Sequence, residues 1–179
     1  MYFIQDLVTT QTIDLPLTFF VKKKIDELLP DLLLFSFEGR VEGVRHLLED
    51  PMSNLEVVTP NKNTAIILAA KKGFTPIVKM LCKAGVNVDH QSESGTTALM
   101  WASENGHHDC VEILLSFRAK IDLQDQNGET ALMLAAYQNH LPCVKTLLFH
   151  GASKKLMSYN GQNAFDFANV NSECESLLK

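Results

Sequence analysis

The apolar positions in the central part of the chain follow a helical pattern that occurs three times. The stretch TAIILAA begins at Thr64, TALMWAS begins at Thr97, and TALMLAA begins at Thr130, so each copy lies 33 residues after the one before it. Threonine is a favourable N-cap, and the apolar residues that follow it have the spacing of one helix face. The pattern therefore predicts three copies of a short helix that starts directly after a threonine.

A second amphipathic helix is predicted after a short break in each copy. Gly73, Gly106 and Asn139 occupy the break, and glycine and asparagine are the residues that most readily adopt positive φ. Pro76 and Pro142 fall in the first turn of the second helix, where the missing N–H costs little. The apolar face of this helix repeats in two columns, which are Val78, Val111 and Val144, and Leu81, Leu114 and Leu147.

One helix pair of this size cannot bury its apolar face by itself, so stacked copies must share one continuous core. A fully buried leucine or valine contributes about 1.5–3 kcal/mol, which makes these columns the predicted main source of stability. The predicted fold class is all-α, a solenoid of stacked helix–turn–helix units.

The order of these signals resembles the ankyrin repeat. The pattern of that family is Asp-x-x-Gly-x-Thr-Pro-Leu-His-x-Ala-Ala-x-x-Gly-His, followed by Val-Val-x-x-Leu-Leu-x-x-Gly-Ala. The stretch DQNGET, from Asp125 to Thr130, matches the beginning of the pattern almost residue for residue. The resemblance implies a degenerate first repeat at 31–58, full repeats at 59–91, 92–124 and 125–157, and a truncated capping repeat at 158–179.

Several positions depart from the family pattern. Alanine replaces the proline after the threonine in every full unit, and Ile67, Met100 or Met133 replaces the histidine. The hydrogen bond that the family makes between threonine and histidine is therefore not available. Lys62 replaces the turn glycine of the second unit, and Arg118 replaces the late glycine of the third. We expect these changes to be local energetic costs within an unchanged fold.

Residues 1–30 do not match the repeat. A short helix from about Phe19 to Leu29, ending before Pro30, is predicted there. We expect this segment to cap the exposed apolar end of the stack, a role that terminal elements fill in solenoids. A docking segment for a partner is the alternative.

Composition and charge indicate a single folded domain. The chain has 179 residues, of which 46% are apolar and 21% are charged, as is typical of globular proteins. The net charge of −5 favours neither nucleic acid nor an anionic membrane as a partner. No apolar run has the length of a membrane span, and the amino terminus lacks the pattern of a secretory signal.

The four cysteines are scattered and include no CxxC pair, so a disulfide framework is not expected. We therefore expect a cytoplasmic or otherwise intracellular protein in a reducing compartment. Nothing in the sequence requires an oligomer, and we expect a monomer.

The stretch HHDC at residues 107–110 combines residue types that bind zinc or act as nucleophiles. His107 occupies a position where the family favours histidine, and Cys110 falls in an apolar column, where it is expected to pack in the core. Neighbouring histidines on a helix point in different directions, whereas zinc needs three or four convergent ligands. A buried thiol is also a poor nucleophile. We predict no catalytic residue, metal or cofactor, so the protein is not expected to be an enzyme.

In ankyrin proteins the turn tips and the exposed side of the first helix line a concave groove that commonly binds other proteins. Carried onto this sequence, the implied partner-binding residues are Asn61, Asn63, Lys71, Lys72, Gln91, Glu93, Ser94, Thr96, Glu104, Asn105, Gln124, Gln126, Asn127, Glu129, Tyr137 and Gln138. We expect Tyr137 to be the aromatic anchor and the charged residues to select a partner of complementary charge. Trp101 aligns with Leu68 and Leu134 and is expected to pack between units.

The leading hypothesis is a non-catalytic scaffold that binds a partner protein or peptide through this concave face. The alternative is an accessory or inhibitory module of an enzyme, or a fragment of a longer multidomain protein. Zinc binding through HHDC is a third hypothesis.

Overall fold

This computed structural model describes residues 30–170 and 172–179, and within these ranges the chain consists of helix pairs joined by turns. The first helices of the pairs are α1 (Asp31–Glu38), α3 (Ala65–Lys72), α5 (Ala98–Glu104), α7 (Ala131–Tyr137) and α9 (Ala164–Phe167). The second helices are α2 (Val41–Glu49), α4 (Thr75–Lys83), α6 (His108–Ser116), α8 (Leu141–Phe149) and α10 (Glu173–Leu178). The predicted all-α solenoid of helix–turn–helix units is confirmed.

Within the unit that spans Leu32–Lys179, corresponding helices pack side by side. Helices α3, α5, α7 and α9 form one layer in chain order, and helices α2, α4, α6, α8 and α10 form a second layer. Each first helix of the three full units also packs against the second helix of its own unit. The predicted amino-terminal helix and cap lie outside the described residues, apart from Pro30.

The three predicted helix starts are correct. Thr64, Thr97 and Thr130 are the N-caps of α3, α5 and α7. The hydroxyl of Thr97 accepts a hydrogen bond from the N–H of Met100 at 3.2 Å, and the N–H of Thr97 donates to the Met100 sulfur at 3.4 Å. The methionine that replaces the family's histidine thus closes a reciprocal cap, although sulfur is a weak acceptor.

Positive φ occurs at the predicted breaks. Gly106 has φ +70°, and Asn139 has φ +58° in the same position of the next unit. A Cβ atom added to Gly106 would lie 2.6 Å from Nδ1 of His140, because the imidazole ring of the following unit packs directly on the glycine. Gly73 and His107 repeat this contact at the same distance. The glycine therefore serves both the backbone turn and the contact between units.

Lys62 and Arg118 adopt the conformation of the glycines that they replace. Their φ angles are +58° and +63°, in the left-handed region. A left-handed conformation costs a residue with a Cβ about 1–2 kcal/mol. The fold therefore tolerates both residues at a local cost, as the sequence predicts.

The predicted apolar columns form the core. The three valines and the three leucines of the second helices are all fully buried. Cys110 and Cys143 are fully buried beside them, and all four cysteines are free thiols. The prediction that Cys110 packs in the core is confirmed.

Candidate protein-interaction surface

The face formed by the turn tips at 61–63, 93–96 and 126–129 and by the exposed sides of α3, α5 and α7 is called the inner face below. Its turns share one local hydrogen bond, in which a side-chain oxygen accepts the backbone N–H four residues later. The acceptors are Thr59, Ser92 and Asp125, at 3.0, 3.2 and 2.8 Å, and Ser158 makes the same bond at 3.3 Å in the turn that follows the inner face. Each tip therefore has the same conformation.

Backbone hydrogen bonds also join each turn to the next. The N–H of Glu93 donates to the carbonyl of Asn61 at 2.9 Å, and that of Gln126 donates to Ser94 at 3.0 Å. Tyr159 N–H makes the corresponding bond to Asn127 at 2.9 Å. The tips consequently form a row whose spacing is held by main-chain contacts.

Three of the glutamines predicted to bind a partner bridge neighbouring units. The side-chain amide of Gln91 donates to the carbonyl of Gln124 at 3.0 Å, and the amide of Gln124 donates to the carbonyl of Met157 at 2.9 Å. The Gln126 amide donates in the opposite direction, to the carbonyl of Glu93 at 2.6 Å. Their N–H groups thus hold the stack together.

The hydroxyl groups of the third turn are bonded to one another. Ser94 Oγ lies 2.9 Å from Ser92 Oγ and 2.8 Å from Thr96 Oγ1. Thr96 is buried, whereas Ser94 is exposed. Of this group, only Ser94 is therefore exposed to solvent.

The remaining predicted residues differ in exposure. Asn63 is half-buried, whereas Asn61 and Lys62 in the same turn are exposed. The other predicted residues with exposed side chains are Asn61, Lys72, Glu93, Asn105, Asn127, Tyr137 and Gln138. The ammonium of Lys72 lies 4.8 Å from the centre of the Phe37 ring.

Lys71, Glu104 and Tyr137 occupy one position on three successive helices. The Lys71 ammonium lies 3.7 Å from the centre of the Trp101 ring, which places its charge between the second and third units. Tyr137 is 60% exposed, and its ring meets the Phe167 ring edge-on with centroids 6.4 Å apart. The column therefore changes from basic to acidic to aromatic along the stack.

Burial and neighbouring charges shift the pKa values of Lys71, Glu104 and Glu129. Burial raises the pKa of Glu104, the Lys71 ammonium opposes this shift, and Asp125 adds to it. Burial also raises the pKa of Glu129, and the carboxylates of Asp125 and Glu104 raise it further. The pKa of Lys71 is lowered by burial, against the effect of Glu104. The two glutamates are thus partly desolvated and repel each other.

Trp101 packs between units, as its alignment with Leu68 and Leu134 predicts. Its ring is half-buried under the Lys71 ammonium, and its Nε1 is buried. Phe167 continues this alignment, because it lies 33 residues after Leu134. The contact of its ring with Tyr137 corresponds to the contact of Trp101 with Lys71, and the structure adds this residue to the predicted face.

The HHDC stretch is divided between different environments. His107 is the N-cap of α6, as predicted, and its Nε2 donates to the Lys71 carbonyl at 3.2 Å. His108 Nε2 lies 2.9 Å from Thr146 Oγ1, while Asp109 is exposed. Burial raises the pKa of the Cys110 thiol. Among the described residues, no group of three or more histidine, cysteine, aspartate or glutamate side chains could hold a metal ion.

Of the helices within residues 30–170 and 172–179, none is both long enough and apolar enough to traverse a bilayer.

Comparison with known families connects this architecture to a described class of proteins. A family model for ankyrin repeats in three copies matches residues 32–125 and 116–179. A comparison with curated proteins finds no match. Ankyrin repeats generally mediate protein–protein interaction and are typically non-catalytic. The matched residues, the stacked helix pairs and the row of turns lead to one conclusion: the chain belongs to the ankyrin repeat family.

Proposed function

We propose that this protein is a non-catalytic, monomeric scaffold that binds a partner protein or peptide through the inner face, which is the concave face in ankyrin proteins. The observation that carries the proposal is the row of turns tied together by backbone and glutamine hydrogen bonds. A surface that is already ordered loses little conformational entropy when it binds. The exposed side chains on this row then supply the specific contacts.

The residues proposed to contact the partner are of two kinds. Tyr137 is an exposed aromatic residue, the type that contributes most in protein interfaces. Lys72, Asn105, Asn127 and Gln138 are exposed polar residues of the same face that would form the rim of the interface. The buried thiols and the separated residues of HHDC are not part of the proposed function.

The proposal is tested with a double variant of the inner face, Tyr137→Ala with Lys72→Glu. The intact chain is used to capture proteins from its native cells, and the captured proteins are compared by mass spectrometry. The matched control is Phe149→Ala with Lys79→Glu, which also removes an exposed aromatic residue and reverses one exposed lysine, but on the second helices.

We expect the inner-face variant to lose its partners and the control variant to keep them. Circular dichroism and thermal melting establish that both variants are folded. A folded inner-face variant that captures the same partners as the unaltered chain would refute the proposal. Loss of the partners in the control variant alone would place binding on the other layer.

A further inference from the structure

The spacing of the inner face sets a distance between successive contacts. Lys71, Glu104 and Tyr137 lie on α3, α5 and α7, which pack side by side in that order. Packed helices lie about 8–10 Å apart, and an extended chain rises about 3.3 Å per residue. A partner segment crossing the helices in extended conformation therefore advances about three residues per unit.

The acidic part of the face consists of Glu104 and Glu129, and neither carboxylate has an ion-pair partner within 4.0 Å among the described residues. The Lys71 ammonium opposes the raised pKa of Glu104, but it lies on the Trp101 ring. A positive side chain from a partner could lie between the carboxylates of Glu104 and Glu129 and pair with both.

The parts of the face on either side differ in chemistry. Beyond the carboxylates, Tyr137 presents an exposed aromatic ring that packs against the half-buried Phe167 ring. On the other side, Lys71 and Lys72 are adjacent cations, each lying over an aromatic ring. A second basic residue of the partner is disfavoured near the lysines, and a carboxylate is favoured there.

We propose that the inner face binds one extended segment of a partner protein that carries a basic side chain between Glu104 and Glu129. An aromatic or large apolar residue three positions away contacts Tyr137, and an acidic residue three positions away on the other side faces Lys72. This inference rests on the proposed function, since it identifies the kind of partner that the same face selects. The pattern is an acid, a base and an apolar residue at intervals of three, in either chain direction.

The first experiment selects ligands without assuming a partner. A phage library of random dodecapeptides is selected on the intact chain, with the Tyr137→Ala variant used to remove peptides that bind elsewhere. We expect the enriched peptides to share a basic residue and an aromatic or large apolar residue three positions apart. Enriched peptides without that spacing, or a selection that enriches no peptide, would overturn the inference.

The second experiment measures the contribution of the carboxylates. A fluorescein-labelled peptide with the pattern is titrated with the chain, and fluorescence polarisation gives Kd. We expect the variant with Glu104→Gln and Glu129→Gln to bind the peptide at least tenfold more weakly. The control is Glu56→Gln, which alters an exposed carboxylate in the loop after α2, distant in sequence from both glutamates, and its Kd should be unchanged. Moving the basic residue one position closer to the aromatic residue should cause a similar loss.

A charge exchange gives a test that a general loss of stability does not imitate. In a second version of the peptide, glutamate replaces the basic residue. The Glu129→Arg variant should bind this second version more tightly than it binds the original peptide. If this preference is absent in a folded variant, or if the double glutamine variant binds as tightly as the unaltered chain, the inference is wrong. The proposed function would survive either result provided that capture of native partners still depended on Tyr137 and Lys72.

Discussion

Gly106 combines two structural requirements whose energies can be measured separately. Its φ of +70° lies in the left-handed region, and a Cβ atom there would approach Nδ1 of His140 to 2.6 Å. Gly151 has φ +89°, but no atom lies within 4 Å of a Cβ built on it. The substitution Gly151→Ala therefore introduces the backbone cost without the contact.

We expect Gly151→Ala to lower the free energy of unfolding by about 1–2 kcal/mol, the cost of a left-handed residue with a Cβ. Gly106→Ala carries the same cost and must also displace the imidazole ring, for which overpacking adds about 1–3 kcal/mol. The expected total is then about 2–5 kcal/mol. Urea unfolding followed by circular dichroism at 222 nm measures both values, with the slope m checked for constancy.

The His140→Ala background separates the two contributions at Gly106. Without the ring, Gly106→Ala should cost only about 1–2 kcal/mol, because the backbone term alone remains. Equal costs for Gly106→Ala and Gly151→Ala, or an unchanged cost in the His140→Ala background, would show that the ring contact does not constrain this position.

Four further predictions concern the core and the turn. Leu114→Ala should lower the free energy of unfolding by about 2–5 kcal/mol, because Leu114 is fully buried, and a loss near zero in urea unfolding would contradict the assigned register. Arg118→Gly should raise the free energy of unfolding by roughly 1 kcal/mol, because the left-handed strain relieved at φ +63° exceeds the entropic cost of introducing glycine. A decrease in the urea midpoint would contradict this prediction. Burial raises the pKa of the Cys143 thiol to about 11, so labelling by a thiol reagent at pH 8 should be much slower in the folded chain than in urea, and equal rates would contradict its burial. The same shift makes the free energy of unfolding fall as pH rises above roughly 8.5, because the unfolded thiol loses its proton first. The decrease in the urea midpoint from pH 8 to pH 10 should therefore be larger in the unaltered chain than in Cys143→Ala.

The sequence predicts most of the fold because each repeat uses local rules that recur in register. Threonine caps, the glycine or asparagine breaks and the valine and leucine columns mark helix starts, helix ends and buried faces. The same alignment places Cys110 in the core and His107 at the start of α6, since their positions are shared with copies whose role is structural. Comparison between repeats therefore separates residues that maintain the fold from those left for other functions.

The sequence predicts the candidate site less completely. Alignment places Gln91, Gln124 and Gln126 on the row of turns, but it does not reveal that their amides bridge neighbouring units. Their polar side chains make them resemble contact residues, although their N–H groups stabilise the stack. The structure thus shifts the emphasis of the proposed site towards Tyr137, Glu104 and Glu129.

The sequence by itself determines the repeat length, the helix pairs and the identity of the core, because these depend on residue type and spacing within about 33 residues. Only the tertiary structure decides that the Lys71 ammonium lies on Trp101, that Phe167 joins Tyr137, and that burial raises the pKa of Glu129. These contacts join different repeats through side-chain rotamers and through the distance between stacked helices. Periodicity along a chain does not encode either quantity, so the chemistry of the inner face emerges only when the units are packed.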